Sequence, residues 1–222
     1  MVTERYRDIT TVTVAENSAP CILANMKGTL AFALIPLFIS IVPNACSAAS
    51  SPAATAKAQQ LRHALSQLQR DPNNRGFQRE YIRVFPHDYK VFLELFDLDH
   101  PLYDGADFIA VLSSLDKTFD TEVGNLLIEL SKDAHYEADA PGYLQNATAV
   151  FASQHTETFL SSLKRLPADK QGHLVGFLAD VENFRSYPEY QLIIDHSIAL
   201  GEVSIARQFE SARAKRSQQP ND

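Results

Sequence analysis

Cysteine is nearly absent from this 222-residue chain: Cys21 and Cys46 are the only two, and both lie in its first 46 residues. The rest of the chain therefore has no disulfide, no thiolate zinc site and no thiol nucleophile. Tryptophan is absent and glycine is scarce, at 8 of 222 residues. The HExxH, GxSxG, GxGxxG and P-loop patterns do not occur either. We accordingly expect no metal and no cofactor.

Long apolar runs are also missing, with one exception at residues 26–48. This segment begins with Lys27, continues through an apolar core at 30–42 and ends on small residues around Cys46. A positive start, a short apolar core and a small-residue end are typical of a secretory signal peptide. A membrane span is the alternative, but it needs about 20 apolar residues, and Pro36 interrupts this core. The pattern predicts a cleaved signal peptide.

The residues around the signal define the expected location. Signal peptides normally start at the initiator methionine, so residues 1–25 are predicted to be a non-native or disordered extension, with a cytoplasmic extension as the alternative. Cys46 precedes small polar residues, as in a lipidated bacterial lipoprotein, but Pro43 stands where lipoproteins carry an aliphatic residue. Ordinary cleavage is favoured, and a lipid anchor on Cys46 remains the alternative. We expect an exported protein, periplasmic or outer-membrane-associated, in a bacterial host.

Acidic residues outnumber basic ones, and the net charge is -7. Residues 1–48 carry three cations and three anions, so the whole net charge of the chain belongs to residues 49–222. An acidic domain is a poor nucleic-acid binder, since phosphate contacts need clustered Lys and Arg. An acidic domain is compatible with a protein partner, including a basic one. The cations at the carboxyl end (Arg207, Arg213, Lys215 and Arg216) are interpreted as a solvated tail with favourable helix-terminus charge.

Helical periodicity dominates what remains, and no run alternates with period two for long. The sequence predicts a linker at 49–55 and a single all-α, multi-helix domain at 56–222, with no membrane span in the mature protein. The expected helices are Ala56–Leu68, one from Pro86 to about Phe96, Asp107–Lys117, one from Asp120, Tyr143–Ser153, one from Thr156, one from Pro167 with an apolar stripe reaching Phe184, one from Pro188 ending at Gly201, and Glu202–Ala214.

Two clusters carry groups that could do chemistry. The first follows an aromatic helix and contains Asp97, Asp99, His100, Tyr103, Asp104 and Asp107. An EF-hand would need Gly and Glu where Leu102 and Phe108 stand, so the calcium pattern fails. The preferred interpretation is an interhelical loop, and a partner-binding surface is the functional candidate.

The second cluster is His135, Glu137 and Asp139. A histidine beside carboxylates can act in acid–base catalysis, and residues four apart share a helix face, as His135 and Asp139 would. The alternative is a helix end and loop, because Pro141 and Gly142 follow at once.

The run F-P-x-x-Y-x-x-F at 85–92, the P-L-Y-D at 101–104 and the acidic stretch at 136–139 resemble a pattern in uncharacterised, exported, mostly helical bacterial proteins. The resemblance implies a helical fold and brings no activity with it.

Three functions stay open. The first is an exported cell-envelope interaction protein, for example an immunity-type inhibitor whose acidic surface blocks the basic site of a secreted toxin. The second is a hydrolase or lyase of envelope polymers that uses the histidine cluster. The third is a structural or assembly factor. Binding by the acidic loop would favour the first, and a pocket around His135 the second.

Overall fold

Helices supply all the regular structure that the computed structural model describes, which covers residues 51–103, 105–135, 140–181 and 187–218. There are ten α-helices in these ranges: α1 (Pro52–Arg70), α2 (Arg75–Val84), α3 (Tyr89–Phe96), α4 (Ala106–Ala110), α5 (Asp120–Ser131), α6 (Ala140–Gln154), α7 (Thr156–Leu163), α8 (Ala168–Ala179), α9 (Pro188–Ala199) and α10 (Val203–Ser217). Two 3₁₀ turns, Val111–Ser114 and Lys117–Phe119, lie between α4 and α5. The predicted all-α, multi-helix fold is confirmed.

The first helix begins earlier than the sequence suggested. The Ser51 hydroxyl accepts a hydrogen bond from the Ala54 amide at 3.1 Å, and Pro52 occupies the first helical position. Both are favourable starts, because the cap satisfies a free amide and proline has none to satisfy. Residues 52–55, predicted to be linker, therefore belong to α1.

The region after α1 holds a helix that the sequence analysis missed. Asn74 caps α2 by accepting hydrogen bonds from the Gly76 and Phe77 amides at 3.0 and 3.3 Å. The predicted helix start at Pro86 is wrong: α3 begins three residues later, where the Asp88 carboxylate accepts from the Val91 amide at 3.1 Å. A carboxylate at this position accepts from a free amide and interacts favourably with the amino-terminal end of the helix dipole, which favours a helix start directly after Asp88.

Other predicted boundaries also shift, including the start of α6, which is Ala140 rather than Tyr143, and one is matched closely. The expected helix Asp107–Lys117 breaks after Ala110 into 3₁₀ geometry, and α8 stops at Ala179, while Phe184 lies outside the described residues. Gly201 ends α9 as predicted, with φ at 79°. Its amide donates to the Ile198 carbonyl at 2.9 Å, and the Glu202 amide donates to the Ser197 carbonyl at 2.8 Å. This bond pair is a Schellman motif, which favours glycine.

The core is organised around α5 and α6. Helix α6 contacts α4, α5, α7, α8 and α9, and its buried Thr148 hydroxyl bonds the Ser131 hydroxyl of α5 at 2.9 Å. Buried Gln145, also on α6, donates to the carbonyls of Phe177 at 2.5 Å and Asp180 at 3.0 Å. Because a buried carbonyl without a partner is costly, Gln145 fixes the end of α8 against the centre of the molecule.

The aromatic motif at 85–96 belongs to this core. The rings of Phe85 and Phe92 lie 5.9 and 4.9 Å from that of Phe96, and all three are buried. The hydroxyl of Tyr81 donates to the Phe108 carbonyl at 2.5 Å, and burial raises the pKa of Tyr81 well above its usual value. Tyr81 is therefore a neutral donor at any physiological pH.

Within the described ranges, no helix has the length and apolarity that crossing a membrane would require. The predictions for residues 1–50, including the signal peptide, the amino-terminal extension and lipidation of Cys46, fall outside the described residues.

Candidate functional site

The acidic loop lies between α3 and α4 and is built by local hydrogen bonds. The Asp97 carboxylate accepts from the Leu98 amide at 2.8 Å, and its carbonyl accepts from the His100 amide at 3.0 Å. Asp99 has φ of 65°, and Arg62 of α1 donates to the Pro101 carbonyl at 2.5 Å. The loop is a defined interhelical connection, as its preferred interpretation predicted.

The loop's side chains divide between core and solvent. His100 and Tyr103 are half-buried, whereas Asp99 and Asp107 are exposed. Asp107 lies in the first turn of α4, where a carboxylate is favourable. Leu98 is 62% exposed, so an apolar side chain stands beside the carboxylates. Asp104 lies outside the described residues, and the described residues hold no group of three acidic, histidine or cysteine side chains that could bind a metal ion.

Of the second predicted cluster, only His135 lies within the described residues. It is exposed and follows the end of α5 at a position outside any described helix, so a helix face shared with Asp139 has no support at His135. Glu137 and Asp139 lie outside the described residues. The His135 ring meets the His173 ring of α8 edge-on at 5.0 Å, and its carbonyl lies 3.5 Å from the Tyr89 hydroxyl.

An ion pair lies next to this contact. The ammonium of Lys170 on α8 is 2.5 Å from the Asp133 carboxylate. This hydrogen bond, with the nearby positive charges of Lys170 and Lys132, lowers the pKa of Asp133, and it raises the pKa of Lys170. The arrangement ties the end of α5 to α8. A cavity of about 270 Å³ lies nearby, lined by His87, Asp88, Tyr89, Lys90, Glu129, Lys132 and Asp133.

A larger cavity lies between α8 and α10 and was not predicted. It is an open groove of about 640 Å³. Helix α8 contributes mostly small residues, and α10 contributes polar and basic ones. The lining residues are Ala168, Gln171, Gly172, Val175, Gly176, Ala179, Asp180, Ser204, Arg207, Gln208, Ser211, Ala212, Lys215 and Arg216.

The groove exists because one face of α8 has almost no side chains. Ala168, Gly172 and Gly176 are spaced by four residues, so they form a row along one face, and all three are exposed. A Cβ atom added to Gly172 or Gly176 would find no atom within 4 Å. The space above them is therefore open, and its floor is buried Val175 and Ala179.

Positive charge dominates the groove. Nε of Arg216 lies 2.9 Å from the carboxylate of Asp180, the residue that ends α8. Arg207 and Lys215 form no ion pair with any other described residue. Three cations thus face one carboxylate in a chain of net charge -7.

The carboxyl-terminal cations lie on α10 rather than on a tail: Arg207 and Lys215 are exposed, and Lys215 and Arg216 lie in the last turn, where positive charge is favourable. Arg207, Lys215 and Arg216 also line the groove, whereas Arg213 donates to the Gln191 side chain of α9. The sequence signal that could have revealed the groove is the row Ala168, Gly172, Gly176, because small residues four apart leave one helix face bare.

The fold and the groove are the features by which this molecule can be described. A scan against protein-family models, a search of curated proteins and a search of solved structures gave no match. By its geometry the molecule is an all-α protein with a basic, glycine-lined groove.

Proposed function

We propose that this protein is an exported interaction protein of the bacterial cell envelope, and that the α8–α10 groove is its main partner-binding surface. The observation that carries the proposal is the open groove whose Arg207 and Lys215 have no ionic partner among the described residues. A groove of this volume is in the range of ligand-binding clefts. Exposed cations along the groove that lack an ionic partner favour a partner of opposite charge. Export is supported by the signal-like pattern at residues 26–48.

The groove's side chains suit binding better than catalysis. Serine, glutamine, arginine and lysine hold ligands through hydrogen bonds and charge, and the lining residues that the structure describes include no histidine. Asp180, the one carboxylate, is engaged by Arg216. The alternative of an envelope-polymer hydrolase or lyase depends on His135, and replacing His135 by Ala should abolish such turnover if it exists.

The acidic loop is a second candidate surface, suited to a basic partner. Leu98, Asp99 and Asp107 are all exposed, so the loop can present an apolar side chain and two carboxylates to a positively charged surface. An immunity-type inhibitor would use such a surface to cover the basic site of a toxin. The double charge reversal Asp99→Lys/Asp107→Lys tests this role.

The test is affinity capture of the full chain, tagged and expressed in its own host, with partners identified by mass spectrometry. The groove variant is Gly172→Gln/Gly176→Gln, which fills open space with good helix formers. Its matched control is Ala214→Gln, an exposed position on α10 that does not line the groove. We expect one stoichiometric partner with wild type and control, and its loss with the groove variant.

The alternative binding surfaces predict different results in the capture experiment. A partner that the groove variant retains and the loop variant loses would move the binding surface to the acidic loop. A partner retained by both variants, or no partner at all, would overturn the proposal.

A further inference from the structure

We propose that the occupant of the α8–α10 groove is an α-helix of a partner protein that carries two acidic side chains about two turns apart. This inference rests on the proposed function, because it names the kind of partner that the same groove would hold.

The shape of the groove fits a helix. Ala168, Gly172 and Gly176 follow the four-residue row that forms a ridge on an ordinary helix, and here that row is bare. Eight residues of helix rise about 12 Å, so the bare row extends for more than two turns. Helices pack by placing a ridge of one into a groove of the other. A partner helix can therefore approach α8 closely along this row, as in other helix-in-groove complexes.

The charges select an acidic helix. Arg207 and Lys215 are eight residues apart on α10, which places their backbones about 12 Å apart along the helix axis. A helix lying beside α10 would meet both cations with carboxylates seven or eight residues apart. Ser204 and Ser211 on the same helix also line the groove and can donate hydrogen bonds to these carboxylates.

The same spacing argues against other anions. A phosphate ion is a compact ligand and is held by donors that converge on one point, whereas Arg207 and Lys215 are separated by two helical turns. A nucleic acid would bring many phosphates against a chain of net charge -7, which repels it outside the groove. A ligand with a few carboxylates in a row avoids both problems.

The test is a display selection on the full chain, using a library of monomeric helices with one randomised face. We expect enriched helices to carry Asp or Glu seven or eight residues apart. The enriched helix is then synthesised, and its dissociation constant is measured by fluorescence anisotropy. We expect about a tenfold loss of affinity for its Glu→Gln version and for the protein variants Arg207→Gln and Lys215→Gln, with further weakening at high salt.

The matched control is Arg213→Gln, which removes a cation from the same helix outside the groove and should leave affinity unchanged. Enrichment of basic or apolar helices, or no enrichment, would overturn the acidic-helix inference. The inference would also be overturned if the Glu→Gln helix bound as tightly as the enriched helix. Equally tight binding of the enriched helix by the Gly172→Gln/Gly176→Gln variant and by wild type would overturn it too. These results differ from failure of the proposed function, which would appear as no groove-dependent partner in the capture experiment from the host.

Discussion

Replacing the two groove glycines, although they lie on the proposed binding surface, should make the protein more stable. Gly172 and Gly176 lie inside α8, and a Cβ atom at either meets nothing within 4 Å. Glycine in a helix interior costs about 0.5 to 1 kcal/mol relative to alanine, because its unfolded backbone has more freedom to lose. The double change Gly172→Ala/Gly176→Ala should therefore raise the free energy of unfolding by about 1 to 2 kcal/mol. For a chain of this size, that is a rise in melting temperature of about 2 to 8 °C.

Calorimetry or thermal circular dichroism measures the shift, and Gly124→Ala is the control. Gly124 is also inside a helix, but its added Cβ would lie 3.0 and 3.2 Å from the Phe151 ring. Overpacking costs about 1 to 3 kcal/mol, so this variant should range from neutral to about 2 kcal/mol less stable. A double variant at Gly172 and Gly176 that melts at or below the wild-type temperature would refute the reasoning. It would mean that the bare face of α8 is covered or not helical.

The other predictions concern three separate contacts. Gln145→Ala removes the side-chain donor from the Asp180 carbonyl and from the Phe177 carbonyl, which keeps the Asp180 amide. It should cost about 1 to 2 kcal/mol, seen as a lower urea midpoint at unchanged m-value. The fold lowers the pKa of Asp133 through Lys170. Its stabilisation is therefore present above the ordinary carboxyl pKa and lost as pH falls through the lowered one, so Asp133→Asn should flatten the acid side of a stability–pH curve measured by denaturant unfolding. A curve of unchanged slope would contradict this. Gly201 has φ of 79°, and Gly201→Ala should lower the unfolding free energy by about 1 kcal/mol, measured thermally, with an unchanged melting temperature as the contrary result.

Features set by neighbouring residues were predictable from sequence. The end of α9 at Gly201 follows from a local backbone requirement, and the all-α class follows from apolar spacing within each helix. Helix α2 was missed because Arg75–Val84 is rich in charged residues, and the Phe108 carbonyl that its buried Tyr81 bonds lies 27 residues away. The start of α3 was misplaced because it was assigned to Pro86, whereas the Asp88 side chain caps the helix.

The functional candidates were harder to predict than the helices. The described part of the acidic loop, residues 97–103, lies between α3 and α4 as expected, and His135 lies outside the described helices. The groove depends on the pairing of α8 with α10, which the connection through α9 brings together. Sequence spacing shows the bare row of α8, but not that Arg207 and Lys215 stand opposite it.

The way that α8 ends determines how the groove would behave during binding. Asp180 is held twice: its carbonyl by buried Gln145 on α6 and its carboxylate by Arg216 on α10. Separating α8 from α10 would break the Asp180–Arg216 ion pair, and moving the end of α8 would also break its hydrogen bond from Gln145. A binding site that is already formed loses little entropy when it is filled. The entropy cost of ordering on association would then fall on the partner. Substitutions that change the partner's helicity should therefore change affinity more than substitutions that loosen this protein.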